Sequence, residues 1–202
     1  MSGPGLFITF EGSEGSGKTT QVELLRQALE AQDPVVVREP GGTALGERIR
    51  EMLLFAEFEL DAEAEMYLFM AARRQLVDEV ITPELAAGRI VIADRYHDST
   101  LAYQGGGRGA ATSWPPSFPR PQITFLLALP VESGRARQAS AGTGSDRMER
   151  ESLEFHQRVA AEYDHIAAAE PARFTRLDGT LPKQKVHSEV MERVLPALRA
   201  KG

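Results

Sequence analysis

Five short apolar runs punctuate the chain: Leu6–Glu11, Val35–Glu39, Arg89–Asp94, Ile123–Leu129 and Arg173–Leu177. The first four are mostly apolar, rich in Val, Ile, Leu and Phe with only an occasional Thr or Ala, rather than an apolar–polar alternation. Such runs read as parallel strands covered on both faces. The mixed stretches between them predict helices over Lys18–Ala31, Leu45–Phe55, Ala62–Ala86, Arg150–Ala169 and Lys183–Ala200. Strands alternating with helices imply an α/β fold, a doubly wound five-stranded parallel sheet flanked by helices and joined by right-handed crossovers. Ligands in such sheets gather beyond the carboxyl ends of the strands. The loops after Phe10, Arg38 and Asp94 are therefore the expected site.

Two segments interrupt the pattern. Residues Trp114–Pro121 are too proline-rich for a helix and read as a rigid connection. Residues Ala139–Ser145 are small, with Arg135, Arg137 and Arg147 around them, which suits a mobile lid over roughly 135–150. An ordinary surface loop carrying solvated arginines has the same composition. A chain of 202 residues is read as a single domain, 1–202. Its net charge of −6 disfavours nucleic acid or an anionic membrane as partner. With no cysteine there is no disulfide and no thiolate metal site, which fits a reducing cytoplasm. The first strand begins almost at Met1, so no signal peptide is expected, and no apolar run approaches the ~18–20 residues of a membrane span.

Chemistry enters with Gly12-Ser13-Glu14-Gly15-Ser16-Gly17-Lys18-Thr19. It matches G-x-x-x-x-G-K-[ST] and stands between a predicted strand and a predicted helix, the context the phosphate-binding loop of P-loop NTPases requires. Glycines let successive backbone N–H groups turn inward on an anion, and the helix adds its positive end. All eight residues and Thr20 are expected to hold ATP, with Lys18 reaching the outer phosphates. The Thr19 hydroxyl and Asp94, an acid closing the strand Ile90–Asp94, are the expected Mg²⁺ residues. Glu14 has an argument of its own: an acid in an anion-binding loop is electrostatically awkward unless it bonds something.

Three segments then carry a resemblance. They are Phe10-Glu11-Gly12-Ser13-Glu14-Gly15; Arg38-Glu39-Pro40-Gly41-Gly42-Thr43 followed by Gly46-Glu47-Arg48-Ile49-Arg50; and Asp94-Arg95-Tyr96-His97-Asp98-Ser99-Thr100-Leu101-Ala102-Tyr103-Gln104-Gly105. In this order and spacing they resemble bacterial-type thymidylate kinases, nucleoside monophosphate kinases that make dTDP from dTMP. The likeness runs from about Phe7 to Val194 and is strongest through Gln104. It implies MgATP as donor, dTMP as acceptor and a homodimer. It implies that Glu14 approaches the acceptor's 3′-hydroxyl, Phe69 stacks on thymine and Arg73 bonds a thymine carbonyl. Arg50 and Arg95 match the acceptor-phosphate arginines, with Ser99 beside them. Thr100 and Gln104 match positions at the base edge, Tyr103 lies against the deoxyribose, and Pro40 shapes the wall. Lys18, Arg95, Glu14 and a lid arginine are the implied catalytic set. Arg147 aligns best with that lid arginine, in contact also with ATP, and Arg137 is the other candidate.

Blander readings stand beside these. Phe69 and Tyr103 could be packing residues, one of Arg73 and Arg74 a solvated surface residue, and His97 is expected at the surface. A P-loop kinase for a different nucleoside monophosphate, or a silent nucleotide-binding module, would share much of the pattern. A GTP-binding switch would not, since guanine recognition there uses Asn-Lys-x-Asp and this chain has no asparagine. The chain departs from the family between Gly109 and Arg120, which is short and proline-rich, at Gln122 where aspartate is usual, and at Ala128.

Overall fold

The computed structural model describes residues 5–141 and 146–201. Strands β1 (Leu6–Glu11), β2 (Val35–Arg38), β3 (Ile90–Asp94), β4 (Ile123–Ala128) and β5 (Phe174–Asp178) form one sheet in the order β2-β3-β1-β4-β5. Every pairing is parallel. The register sets Phe10 opposite Asp94 and Arg38 opposite the same Asp94. The loop leaving β1 is thereby placed beside the ends of β2 and β3, where the strand order changes direction.

Alternation along β1 divides the core. Leu6, Ile8 and Phe10 face α1 (Lys18–Ala28) and α8 (Lys183–Lys201), packing with Leu25, Val190 and Val194. Phe7 faces the other side, in a cluster with Val91, Leu76 and Ile81. Each such fully buried side chain contributes about 1.5–3 kcal/mol relative to exposure. Two buried hydroxyls, Thr9 and Thr124, satisfy each other across β1 and β4 at 2.8 Å. Gln122, the departure noted above, accepts the Phe7 N–H through its Oε1 at 2.7 Å.

The helices follow the predicted spans with instructive differences. Helix α2 covers Ala44–Phe55, and Thr43 caps it by accepting the Gly46 N–H. The expected single helix Ala62–Ala86 is α3 (Ala62–Leu76), a π turn over Val77–Ile81, and α4 (Thr82–Ala86). Pro83 explains the change of register, because it has no N–H to donate and its ring would strike the carbonyl one turn earlier. A helix after β3 escapes sequence reading altogether. It comprises α5 (His97–Thr100) and a π turn over Leu101–Gly107. Its run of three glycines looks like a loop, yet it is a packing surface. A Cβ on Gly106 would lie 2.5 Å from Glu162 Cβ, and one on Gly107 2.5 Å from Phe155 Cε2. Both contacts are to α7 (Leu153–Ala169), which starts three residues later than expected, behind the capping Ser152.

Residues Val131–Ala141 form helix α6, so Ala139, Ser140 and Ala141 of the expected mobile segment are helical. The remainder of that segment, 142–145, lies outside the described residues. The Trp114–Pro121 connection is non-helical as expected, with a turn at 116–118. His97 is a correction: it is buried, not at the surface. Trp114 and Phe118 pack edge-on to its ring, and the proline-rich connection is what covers it.

Candidate active site

The phosphate loop owes its shape to three glycines with positive φ, Gly12, Gly15 and Gly17. Gly12 is also a close approach, since a Cβ there would lie 2.5 Å from the Leu127 carbonyl of β4. Helix α1 starts at Lys18, so its free N–H groups face the loop. Lys18 Nζ donates to the carbonyls of Ser13 at 2.9 Å and Gly12 at 3.1 Å. Burial, reinforced by the charge of Arg95, lowers its pKa to about 8. Thr19 Oγ1 donates to Asp94 Oδ2 at 2.6 Å, which joins the two expected metal residues.

Arg95 follows Asp94 with a left-handed backbone, φ 70°. That conformation is costly for a residue with a Cβ and persists where its surroundings over-determine it. Here Glu11, fully buried at the end of β1, accepts the Tyr96 N–H at 2.7 Å. The second oxygen of Glu11 accepts from Ser99 at 2.6 Å and Tyr163 at 3.0 Å. Burial and then Asp98 push the Glu11 pKa up to about 7. Arg95 in turn donates to the Gly12 carbonyl at 2.9 Å, to Glu14 at 2.5 Å and to Tyr103 Oη at 3.2 Å. Tyr103 Oη donates to the same Glu14 oxygen at 2.9 Å. Burial alone would raise the Glu14 carboxyl, but Arg95, Lys18 and Tyr103 outweigh it and bring its pKa down to about 2. The awkward acid of the phosphate loop therefore has its partners.

A second cluster follows β2. Glu39 and Arg73 form a buried ion pair at 2.5 Å. Arg73 Nη2 also reaches the Tyr96 carbonyl at 3.1 Å, and Nη1 donates to Thr100 Oγ1 at 2.7 Å and meets His97 Nδ1 at 3.1 Å. His97 Nε2 lies 2.9 Å from the Ser113 carbonyl, so Nε2 carries the proton and Nδ1 accepts. Burial, then Arg73, depress the His97 pKa to about 3, consistent with that neutral tautomer. The five N–H groups of Arg73 are thus engaged within the protein. Arg50 donates to the Pro40 carbonyl at 2.9 Å.

One cavity of about 490 Å³ joins both clusters. Of the sequence-predicted residues it brings together Glu14, Gly15, Gly17, Lys18, Thr19, Thr20, Pro40, Arg50, Phe69, Arg73, Asp94, Arg95, Ser99, Thr100, Tyr103 and Gln104. Gly12 adjoins it through the carbonyl that Lys18 and Arg95 share, whereas Ser13 and Ser16 are buried in the loop itself. Arg147 stands apart from the lining. Its Nε donates to the Leu53 carbonyl at 2.9 Å, and its Nη2 pairs with the buried Glu65 at 2.6 Å. Arg137 donates to the Gly179 carbonyl.

Sequence reading missed three buried acids, Glu11, Glu39 and Glu65, each tied to a site residue. A signal for the last was present: Glu65, Phe69 and Arg73 recur every four residues and so share one helix face. Arg38, Leu54, Asp146, Met148 and Glu149 also line the cavity without having been anticipated.

The family model described as "Thymidylate kinase" matches residues 10–190. The chain belongs to the thymidylate kinase family. A thymidylate kinase of Thermomicrobium roseum is 46% identical over 202 aligned positions, covering 96% of each chain. That of Gluconobacter oxydans is 42% identical over the full length of both. The crystal structure of thymidylate kinase from Ehrlichia chaffeensis superposes with a TM-score of 0.73 at 34% identity, covering 95% of this chain and 99% of that one. Family membership accounts for the five-stranded parallel sheet.

Proposed function

We infer that the chain transfers the γ-phosphoryl group of ATP to dTMP, giving dTDP and ADP. The observation that carries this reading is the single cavity. Its lining brings together Lys18 and Thr19 of the phosphate loop, the cations Arg50 and Arg95, and the apolar ring of Phe69. An acceptor that is itself a phosphate monoester has a second pKa of about 6, so its attacking oxygen is largely ionised at neutral pH. No general base is required. A new bond forms from that oxygen to the γ-phosphorus as the bond to the β-bridging oxygen breaks. The protein's task is to align two anions and to neutralise the charge spread over the transferred group.

Lys18 and the loop N–H groups hold the donor. Arg95, fixed by Glu14, Ser99 and Tyr163, and Arg50 hold the acceptor phosphate. Phe69 stacks on the base, and Thr100 and Gln104 face its edge, with Arg73 behind Thr100. Direct contact between Arg73 and a base carbonyl would displace one of its present partners. Tyr103 excludes a 2′-hydroxyl by bulk. Arg147 supplies an additional cation only on leaving Glu65 and the Leu53 carbonyl.

Thr19 and Asp94 fit a Mg²⁺ ion that arrives with ATP, because such ions take one or two protein oxygens beside the phosphates. Among the described residues no group of three His, Cys, Asp or Glu could hold a metal unaided. When bound, the ion would neutralise charge on the β- and γ-phosphates. No described helix is long and apolar enough to cross a membrane, and we place the chain in the cytoplasm as a homodimer. An assay of ADP release across nucleoside monophosphates tests the activity. dTMP is expected to exceed dCMP, dAMP and dGMP by about 10²-fold or more in kcat/KM, and dUMP to follow more weakly. Absence of turnover with dTMP overturns the reading.

A further inference from the structure

Gln104 is almost wholly buried yet lines the cavity, and Glu65, fully buried on α3, stands behind it without lining the cavity. Glu65 Oε1 accepts from Gln104 Nε2 at 2.8 Å and from Arg108 Nε at 3.2 Å. Its Oε2 accepts from Arg108 Nη2 at 3.1 Å, and Arg147 Nη2 pairs with it at 2.6 Å. Burial raises the Glu65 pKa, but the hydrogen bonds and charges of Arg108, Gln104 and Arg147 hold it below the ordinary carboxylate value. An ionised carboxylate only accepts. The Gln104 amide must then present its NH₂ to Glu65, since the flipped amide would set oxygen against anionic oxygen. Its Oε1 is turned away from Glu65, and no donor among the described residues engages it.

Thr100 lies one helical turn before Gln104 and lines the same cavity. Its Oγ1 accepts from Arg73, which leaves its own proton to point elsewhere. The wall thus offers a fixed acceptor, Gln104 Oε1, beside a donor, the Thr100 hydroxyl. A ring N–H next to a carbonyl, as in thymine and uracil, complements that pair. A ring nitrogen lone pair next to an amino group, as in cytosine, opposes it at both positions.

We propose that Glu65 is a specificity-determining positioning residue, which locks the Gln104 amide so that the pocket takes 4-oxopyrimidine monophosphates and rejects 4-aminopyrimidine ones. The inference rests on the dTMP kinase reading. Glu65 touches no substrate; it acts through Gln104. An amide free to turn over would meet either base, and specificity built by unmatched polar groups would weaken.

The test compares kcat/KM for dTMP and dCMP in three single variants and one double variant. Glu65→Gln, which can both donate and accept, is expected to lower the dTMP/dCMP ratio at least about ten-fold, whereas Glu65→Asp, which keeps the charge, retains it. Gln104→Leu should lower the ratio as well, and Glu65→Gln added to it should lower it no further. A folded Glu65→Gln protein with an unchanged ratio overturns the proposal, as does independent addition of the two losses. If Glu65→Gln does not fold, a crystal of the wild-type chain with dTMP decides. One terminal atom of Gln104 should bond Glu65 and the other the ring nitrogen between the two carbonyls. A Gln104 side chain turned from the ring overturns it. Wild-type protein without dTMP turnover would instead remove the reading beneath it.

Discussion

The ammonium of Lys18 rests on two loop carbonyls in a buried, cation-rich setting, and its pKa is lowered to about 8. In the free enzyme its charge is present below that value and lost above it. We therefore expect kcat/KM for ATP to fall as pH rises beyond about 8, and a profile flat to pH ~9.5 would contradict the assignment. Lys18→Met should lower kcat by about 10²–10³. Two other buried groups act oppositely on stability. His97 has a depressed pKa of about 3, so its contribution is full above its ordinary 6.5 and lost as pH falls toward 3. Glu11 has a raised pKa, so its contribution is full below 4.5 and lost as pH rises through about 7. Between pH 5 and 6.5 the two offset each other. Glu11→Gln removes one of them, and its Tm should then decline on acidification across that interval more steeply than the wild type's. Parallel curves would refute the pairing. Lys18, Thr19 and Asp94 were legible because a local motif carries them. Glu39 and Glu65 were not, because an acid in a helix or loop reads as solvated until its arginine, distant in sequence, is placed against it.

At the scale of elements, the phosphate loop leans on α6 through two glycines. A Cβ on Gly134 would sit 2.4 Å from the Glu14 carbonyl, and one on Gly15 2.3 Å from the Gly134 carbonyl. Both obstacles are backbone atoms and cannot swing aside. Gly134→Ala should therefore shift the loop, raise KM for ATP several-fold and cost about 1–3 kcal/mol of stability, read from kinetics and denaturant unfolding. Unchanged kinetics would show that the loop has slack. The same helix carries Arg137 and leads toward Arg147. Arg147→Ala is expected to lower kcat more than it weakens dTMP binding, and a raised KM at equal kcat would leave it a structural tie to Glu65. Strands and long helices were readable because their apolar patterns are local. The α5 helix with its π turn was not, since Gly105-Gly106-Gly107 has loop composition and is explained only by the nearness of α7.

For the whole molecule, five of the eight exposed large apolar side chains among the described residues lie on α2, α3 and their connection: Leu45, Met52, Phe55, Phe58 and Tyr67 are 47–63% exposed, whereas Val36, Leu181 and Leu195 lie elsewhere. A second copy covering that face would give a particle of twice the 22.1 kDa chain mass, and Phe55→Glu should dissociate it. Light scattering checks both, and a wild-type monomer at micromolar concentration would refute the dimer.

By itself the sequence determined the sheet, the phosphate loop and the family resemblance, because each is written in contiguous residues whose spacing has a local physical meaning. Only the tertiary structure decided that His97 is buried and neutral, that Arg73 is already fully bonded, and that Arg147 rests on Glu65. Those facts depend on which charges and aromatic rings meet across long separations in sequence, and burial sets their energies only after the chain has folded.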